Sequence, residues 1–311
     1  MILVTGSSGF IGRNLIKSLL SDGNKVIGID IEDCPDYLLV PTKTSNLTDE
    51  NFTFIKGDLR DSDVLRALFE RPIEYIVHLA AFTRVVESVN KPSEYFENNV
   101  VVTQRLSEEA IKHGVKKFLF ASTNAVAGDV GYSVINENNA LFPQSPYGAN
   151  KAASEMMLNA YKSSYGLGAV RLRFTNIYGK DMATKDSFIA RMCKAALGDK
   201  KIAIYGDGTQ VRDYVYLDDV IGVIKRVLSL GSPDILVVGS GSSVSVNELV
   251  KLVEETIGLK FSVEYQDAKK GEMKAVIVDN SSLKSIGIDK TSDLSEGLRF
   301  TWEWFKHSSH V

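Results

Sequence analysis

Along the first half of the chain, short apolar runs alternate with stretches whose apolar residues recur every three or four positions. Residues 2–4, 25–29, 52–55, 75–79 and 117–121 read as buried strands, each a short apolar run bounded by polar or turn-forming residues. Helical periodicity appears over 11–20 and near 64–69 and 93–112, between those strands. Another strand is predicted at 170–174, after a helix that contains residues 151–165. Strands joined by helical crossovers make a parallel sheet covered on both faces, so the pattern predicts an α/β, doubly wound parallel-sheet fold. The second half is less regular. It shows a helix near 188–197, turn residues at Gly206-Asp207-Gly208, and helices over 244–257 and 293–305. The expected division is a nucleotide domain over 1–174, which also receives about 212–240, and a smaller C-terminal substrate domain formed mainly by 175–311.

Composition narrows the possibilities by exclusion. The 311 residues are 44% hydrophobic and 24% charged, an ordinary globular balance. A net charge of -3 offers no basic face for nucleic acid. No apolar run approaches the roughly 20 residues of a membrane span. The chain opens directly on a buried strand, with no charged leader, so a cytoplasmic location is expected. Cys34 and Cys193 match no metal spacing and read as reduced thiols; no metal site is expected.

The first strand runs into Gly6-Ser7-Ser8-Gly9-Phe10-Ile11-Gly12, and a helix follows. Glycines there let the backbone turn tightly and approach a pyrophosphate resting on the helix N-terminus, which predicts a Rossmann-type dinucleotide site. Asp30 ends the second strand, where a carboxylate accepts the adenosine ribose hydroxyls and repels a 2′-phosphate, so NAD is expected rather than NADP. A turn-capping role for Asp30 is the alternative. Asp58, after the third strand, lies at the adenine end of the sheet and can equally cap the helix that begins near Asp61.

Tyr147-Gly148-Ala149-Asn150-Lys151 places a phenol and an ammonium one helical turn apart on one face. A free phenol has a pKa near ~10 and is a poor base at neutral pH. Lys151 and a positive nicotinamide ring both favour the phenolate, so Tyr147 becomes a candidate for exchanging protons with a hydroxyl. Lys151 would also hold the nicotinamide ribose. Thr123 can donate to the same substrate oxygen, and Ser122 would then face the cofactor; helix capping is the alternative for both hydroxyls.

The spacing Gly-x-x-Gly-x-x-Gly resembles that of the extended short-chain dehydrogenase/reductase family, in its NAD-dependent sugar epimerase/dehydratase branch. The resemblance spans nearly the whole chain. It rests also on His78-Leu79-Ala80-Ala81, Glu97-Asn98-Asn99-Val100, the stretch from Arg171 to Gly179, and Gln210-Val211-Arg212-Asp213-Tyr214-Val215. It implies cofactor contacts from Gly6, Gly9, Phe10, Ile11, Gly12, Asp30, Ile31, Asp58, Leu59, Leu79, Ala80, Ala81, Thr83, Asn98, Ser122, Tyr147, Lys151 and Phe174. For a UDP-sugar it implies Asn176 at the diphosphate or the sugar, Arg212 at the diphosphate, Lys269 keeping the charge of the family's usual arginine, Tyr205 and Phe188 near the base, and Glu272 at the ribose. Thr83, Thr123 and Tyr147 would lie at the sugar, and Val276 beside its C2 substituent. Alternatives stay open: Arg212 can form a structural ion pair with Asp213, Lys269 can be solvated charge, and Tyr205 and Val276 can be ordinary packing.

The residues after Thr123 bear on the reaction. The family's 4,6-dehydratases carry an Asp-Glu pair where this chain has Asn124-Ala125, and its decarboxylases usually keep the Glu. Ala125 cannot do acid–base work. The resemblance therefore implies NAD-dependent C4 epimerisation of a UDP-hexose through a transient 4-keto sugar. UDP-glucose, UDP-galactose and UDP-N-acetylglucosamine are the candidate substrates. The alternatives are a dehydratase, decarboxylase or 4-keto-sugar reductase of the same branch and, more remotely, a non-catalytic NAD-binding sensor. The family's usual Tyr before Gly128 is Ala127 here, a departure expected to open space, and the loop after Gly179 is short and lacks the usual Pro. A homodimer through a four-helix bundle, built from residues 93–112 and 145–165, is also implied.

Overall fold

β1 (Ile2–Thr5) is buried at all four positions, and no polar side chain interrupts β2 (Val26–Asp30) until Asp30 at its end. Strands buried on both faces belong in the middle of a parallel sheet. The computed structural model, which describes residues 1–35, 51–231, 233–268 and 273–308, puts them there. The chain continues through α1 (Phe10–Ser21), which lies between β1 and β2, then β3 (Phe52–Lys56), α2 (Ser62–Leu68), β4 (Tyr75–His78), α3 (Val85–Asn90), α4 (Pro92–Phe96), α5 (Val102–Lys112) and β5 (Lys117–Thr123). After β6 (Val134–Ile135) come α6 (Pro146–Tyr165), β7 (Ala169–Phe174), β8 (Asn176–Tyr178), α7 (Phe188–Leu197), β9 (Lys201–Tyr205) and β10 (Val211–Tyr216). The remainder is α8 (Leu217–Ser229), β11 (Ile235–Val238), β12 (Ser243–Ser245), α9 (Val246–Ile257), β13 (Ser262–Gln266), β14 (Ile277–Val278) and α10 (Leu294–His307).

Seven strands form one sheet in the order β11-β7-β5-β4-β1-β2-β3. The run from β3 to β5 is parallel throughout. Strand order reverses between β1 and β4, the switch point at which open α/β sheets bind ligands. Leu3, Ile27, Ile76 and Phe118 of successive strands pack with Leu106 of α5 and Leu158 of α6 in one core. Small sheets make up the rest: β12-β10-β8, β13-β9 and β14-β6.

The described chain divides into two compact units. The first comprises 1–126, 141–173 and 224–236; the second comprises 127–140, 174–223 and 237–311. Residues 127–140 thus lie with the second unit, where β6 pairs with β14. Among the described residues no helix is long and apolar enough to cross a membrane.

The helix expected over 93–112 is interrupted. A π-helical turn occupies Glu97–Val101, between α4 and α5. Single π-turns inside α-helices recur at functional sites. Here the Asn99 side chain clamps the loop after β4: Phe82 N donates to Asn99 Oδ1 at 2.9 Å and Asn99 Nδ2 donates to Phe82 O at 2.9 Å.

α6 has sharp ends. Ser145 is its N-cap, Pro146 takes the first helical position, and Gly166 closes it at φ 73°. Ser145 Oγ accepts the Gly148 amide at 3.1 Å. Ser145→Ala leaves that amide without its cap and should cost about 1 kcal/mol. Urea unfolding should show a lower midpoint with an unchanged slope; a midpoint equal to wild type would remove the cap from the stability of this helix.

Candidate active site

The carboxyl ends of β1, β2 and β3 carry the predicted dinucleotide groups. Gly6 turns the chain at φ +69°, and a Cβ there would stand 2.8 Å from Ala80 N. A Cβ on Gly12 would stand 2.2 Å from Gly6 O, so α1 can start this close to the turn only without side chains. Gly9 is the α1 N-cap, Phe10 is buried behind it and Ile11 is half-buried. The Ser7 and Ser8 hydroxyls are buried without hydrogen-bond partners beside the helix N-terminus, a setting that fits a pyrophosphate. Asp30 is anchored by Ser8 N to Oδ2 at 2.9 Å and by Glu32 N to Oδ1 at 3.1 Å, and each oxygen keeps a lone pair for a ribose hydroxyl. Ile31 beside it is exposed. Asp58 is gripped by Arg60, whose Nη2 lies 2.6 Å from Oδ2; the Arg60 guanidinium holds the carboxyl below its ordinary range. Leu59 belongs to the core. Leu79, Ala80 and Ala81 are half-buried after β4, and Thr83 is exposed.

β5 and α6 bring the catalytic candidates together. Thr123 ends β5, and its Oγ1 accepts Ala125 N at 3.2 Å. Its own proton is therefore available to the Tyr147 phenol, on which the Thr123 hydroxyl acts as a donor. Tyr147 N donates to Ser88 Oγ at 3.1 Å, which fixes the helix start against α3. Lys151, one turn on, is buried; its Nζ donates to Ala121 O at 2.8 Å and lies 4.6 Å from the Phe120 ring centre. Burial pushes the Tyr147 phenol up to about 12, and the Thr123 hydrogen bond works against that rise. Burial pulls the Lys151 ammonium down to about 7, and the Glu155 charge opposes it.

Ser122 departs from expectation. It is buried, and its hydroxyl donates to Glu155 Oε1 rather than facing a cofactor. Glu155 is the stronger claimant on that proton, because it is a buried carboxylate with acceptor sites to fill. Asn98 donates to Asn99 Oδ1 at 3.0 Å and so supports the Phe82 clamp.

A directed polar chain runs behind this edge. Ala80 N donates to Thr5 Oγ1 at 3.1 Å, Thr5 Oγ1 lies 2.8 Å from His78 Nδ1, and His78 Nε2 lies 3.0 Å from Thr103 Oγ1. Thr103 Oγ1 donates to Asn99 O at 2.7 Å. Thr103 therefore accepts from Nε2–H, and Thr5 donates to Nδ1, which assigns one neutral tautomer to His78. Burial pulls His78 down to about 3, consistent with that neutral form.

In the second unit, Asn176, Phe188, Tyr205 and Arg212 line one cleft of about 250 Å³. Asn176 Nδ2 donates to Asp213 O at 2.8 Å. Arg212 Nη1 donates to Val211 O at 2.8 Å. Asp213 is buried and accepts from Thr175 Oγ1, Ser240 N, Ser240 Oγ and Gly241 N, so its own task is to hold these backbone segments. Phe174 is buried. Lys269 and Glu272 lie outside the described residues. Val276 is 1% exposed and packs with Ala127, Ile135, Val237 and Val278, so it is a core residue and not among the cleft's lining. The same cluster fills the space that Ala127 was expected to open.

Sequence reasoning missed several participants. Glu155 stands eight residues after Tyr147 on the same helical row, a signal that could have found it. Ser88 and Tyr95 meet Tyr147 only through the tertiary fold. Asp186, Arg191 and Gln210 join the cleft lining.

Residues 2–239 match the family described as the NAD dependent epimerase/dehydratase family. A UDP-glucuronate 4-epimerase of Thermodesulfobacterium geofontis is 33% identical, covering 98% of this chain and 96% of that one. The solved structure of a Thermus thermophilus UDP-glucose 4-epimerase complexed with NAD is similar at TM-score 0.89 and 32% identity, over 99% of each chain. A UDP-N-acetylglucosamine 4-epimerase from Methanobrevibacter ruminantium, in complex with UDP-N-acetylmuramic acid, is similar at TM-score 0.89 and 31% identity, over 98% of this chain and 97% of that one.

Removal of the Asp30 carboxylate tests the cofactor edge. Hydrogen bonds to a charged group contribute about 1.5–3 kcal/mol, so Asp30→Ala should weaken NAD by roughly tenfold to a hundredfold. It should weaken NADP less, because repulsion of the 2′-phosphate disappears too. Calorimetric titration with both dinucleotides checks this; a wild-type protein that prefers NADP contradicts the assignment.

Proposed function

The chain belongs to the NAD dependent epimerase/dehydratase family, and within that family we propose that it inverts C4 of a UDP-hexose. The observation that carries the reading is the meeting of Thr123 and Tyr147 beside the buried Lys151, with Ala125 where an acid would be needed for dehydration.

The glycine turn and Asp30 hold NAD, which when bound supplies a reversible hydride acceptor for C4, so that the sugar passes through a 4-keto form. Tyr147 takes the O4 proton and later returns it. Thr123 shares the charge that develops on that oxygen. Lys151 lowers the cost of the phenolate, which burial alone raises. Ala125 offers no group to move a proton at C5 or C6, so oxidation and re-reduction at one carbon is the chemistry these side chains support. In the second unit, Arg212 and Asn176 suit a diphosphate, and Phe188 and Tyr205 suit a pyrimidine base. Lys269 and Glu272 are proposed to complete that grip on the nucleotide.

A homodimer is part of the proposal. Phe96 of α4 is 49% exposed and Met156 of α6 is 64% exposed, and both helices belong to the segments expected to build a four-helix bundle.

The test is to incubate the NAD-loaded protein with UDP-glucose, UDP-galactose, UDP-N-acetylglucosamine and UDP-glucuronate and to identify products by NMR. One C4 epimer pair should equilibrate with no dinucleotide added. Tyr147→Phe should fold, retain NAD and turn over roughly a hundredfold or more slowly. A 4-keto-6-deoxy product would replace this reading with dehydration; net consumption of added reduced cofactor would replace it with reduction. Near-normal turnover of Tyr147→Phe would remove Tyr147 from the mechanism.

A further inference from the structure

Tyr147, Lys151 and Glu155 occupy successive turns of α6 and form one row along the helix. The first two are used by the proposed reaction; Glu155 is not. It is 3% exposed. Arg173 of β7 donates Nε to its two oxygens at 3.0 and 3.2 Å, and Nη2 to Oε2 at 2.8 Å. The Ser122 hydroxyl of β5 donates to Oε1. The residue before Ser122 is Ala121, whose carbonyl accepts Lys151 Nζ at 2.8 Å. Lys151 and Glu155 therefore grip adjacent residues of β5, immediately before Thr123.

Few charged or titratable groups face Lys151. On α6 it faces the Tyr147 phenol and Glu155. β4 presents His78, which is neutral in the assigned tautomer. β7 carries two buried guanidiniums, Arg173 on Glu155 and Arg171, which feels both Asp234 and Glu155. A buried ammonium loses its proton readily unless an anion stands by. Glu155 is that anion.

We propose that Glu155 is a positioning residue that keeps Lys151 protonated and seated on Ala121, so that the ammonium is available to Tyr147. The proposal rests on the roles given above to Tyr147 and Lys151. It concerns the state of Lys151, whichever sugar is turned over.

The test reads Lys151 directly. In NAD-bound protein with isotope-labelled lysine, the ε-carbon resonance of Lys151, assigned through a Lys151→Met sample, is titrated against pH by NMR. Wild type is compared with Glu155→Gln and with the double variant Glu155→Gln/Arg173→Met. The double variant removes both partners of a buried ion pair, a change that proteins often tolerate, so it tests charge without leaving Arg173 uncompensated. The Lys151 midpoint should fall by about one pH unit or more in both variants, a tenfold loss of proton affinity. The alkaline limb of kcat should move down with it, because the active form needs the ammonium. A folded double variant with wild-type melting temperature and NAD content, and a Lys151 midpoint within a few tenths of wild type, would overturn the proposal and leave the pair as a tie between strands. Failure of the double variant to fold would overturn it equally, by assigning the pair to folding. If no UDP-sugar is epimerised, the titration still stands, so failure of the functional reading and failure of this one are told apart.

Discussion

A parallel strand can be reached only by a crossover, and this constraint organises the first unit. Because β1, β2, β3, β4 and β5 all run the same way, their carboxyl ends share one edge. That edge gathers the Gly6 turn, Asp30, Asp58, the Ala80–Ala81 pair and Thr123, which are scattered over more than a third of the sequence. The crossover helix after β5 then has to pass beside the same edge. α6 does so with Ser145 and Pro146 setting its first turn, and Tyr147 arrives beside Thr123. The proposed catalytic pair is thus a consequence of strand direction and one helix cap.

The arrangement burdens the core with polar groups, and the structure satisfies them with directed bonds. A neutral His78 joins Thr5 of β1 to Thr103 of α5, and Asn99 carries the connection to the Phe82 loop. Ser154 of α6 donates to Asn99 O at 3.2 Å, so α6 is tied to the same chain. The π-helical turn at Glu97–Val101 places Asn99 where both strands of this network meet. Glu155 and Arg173 are each 3% exposed and form an ion pair, which limits the desolvation cost that a lone charge would carry.

Much of this was legible in the order of residues. β1 and β2 are apolar runs that suit a buried parallel sheet, and the glycine turn with Asp30 points to one end of a dinucleotide without reference to tertiary structure. Tyr147 and Lys151 are local, one turn apart, so their pairing is visible too. What escaped was set by partners distant in sequence. Ser122 could be placed on an edge, but its hydroxyl turns to Glu155, 33 residues later. Val276 and Ala127 looked like separate features of a sugar pocket; a contact across about 150 residues makes them neighbours in one apolar cluster. The second unit resisted for a physical reason as well. Its strands β6, β8, β12 and β14 have two or three residues each, too short for any periodicity to show.

Reversible oxidation at a single carbon makes a claim about hydrogen that no dehydration or deprotonation route shares. Turnover of a UDP-hexose carrying deuterium at C4, in ordinary water, followed by NMR of the epimer, tests it most directly. The label should be retained at C4 through inversion, with no solvent hydrogen at C5 or C6. Loss of the C4 label to solvent, or exchange at C5, would contradict it.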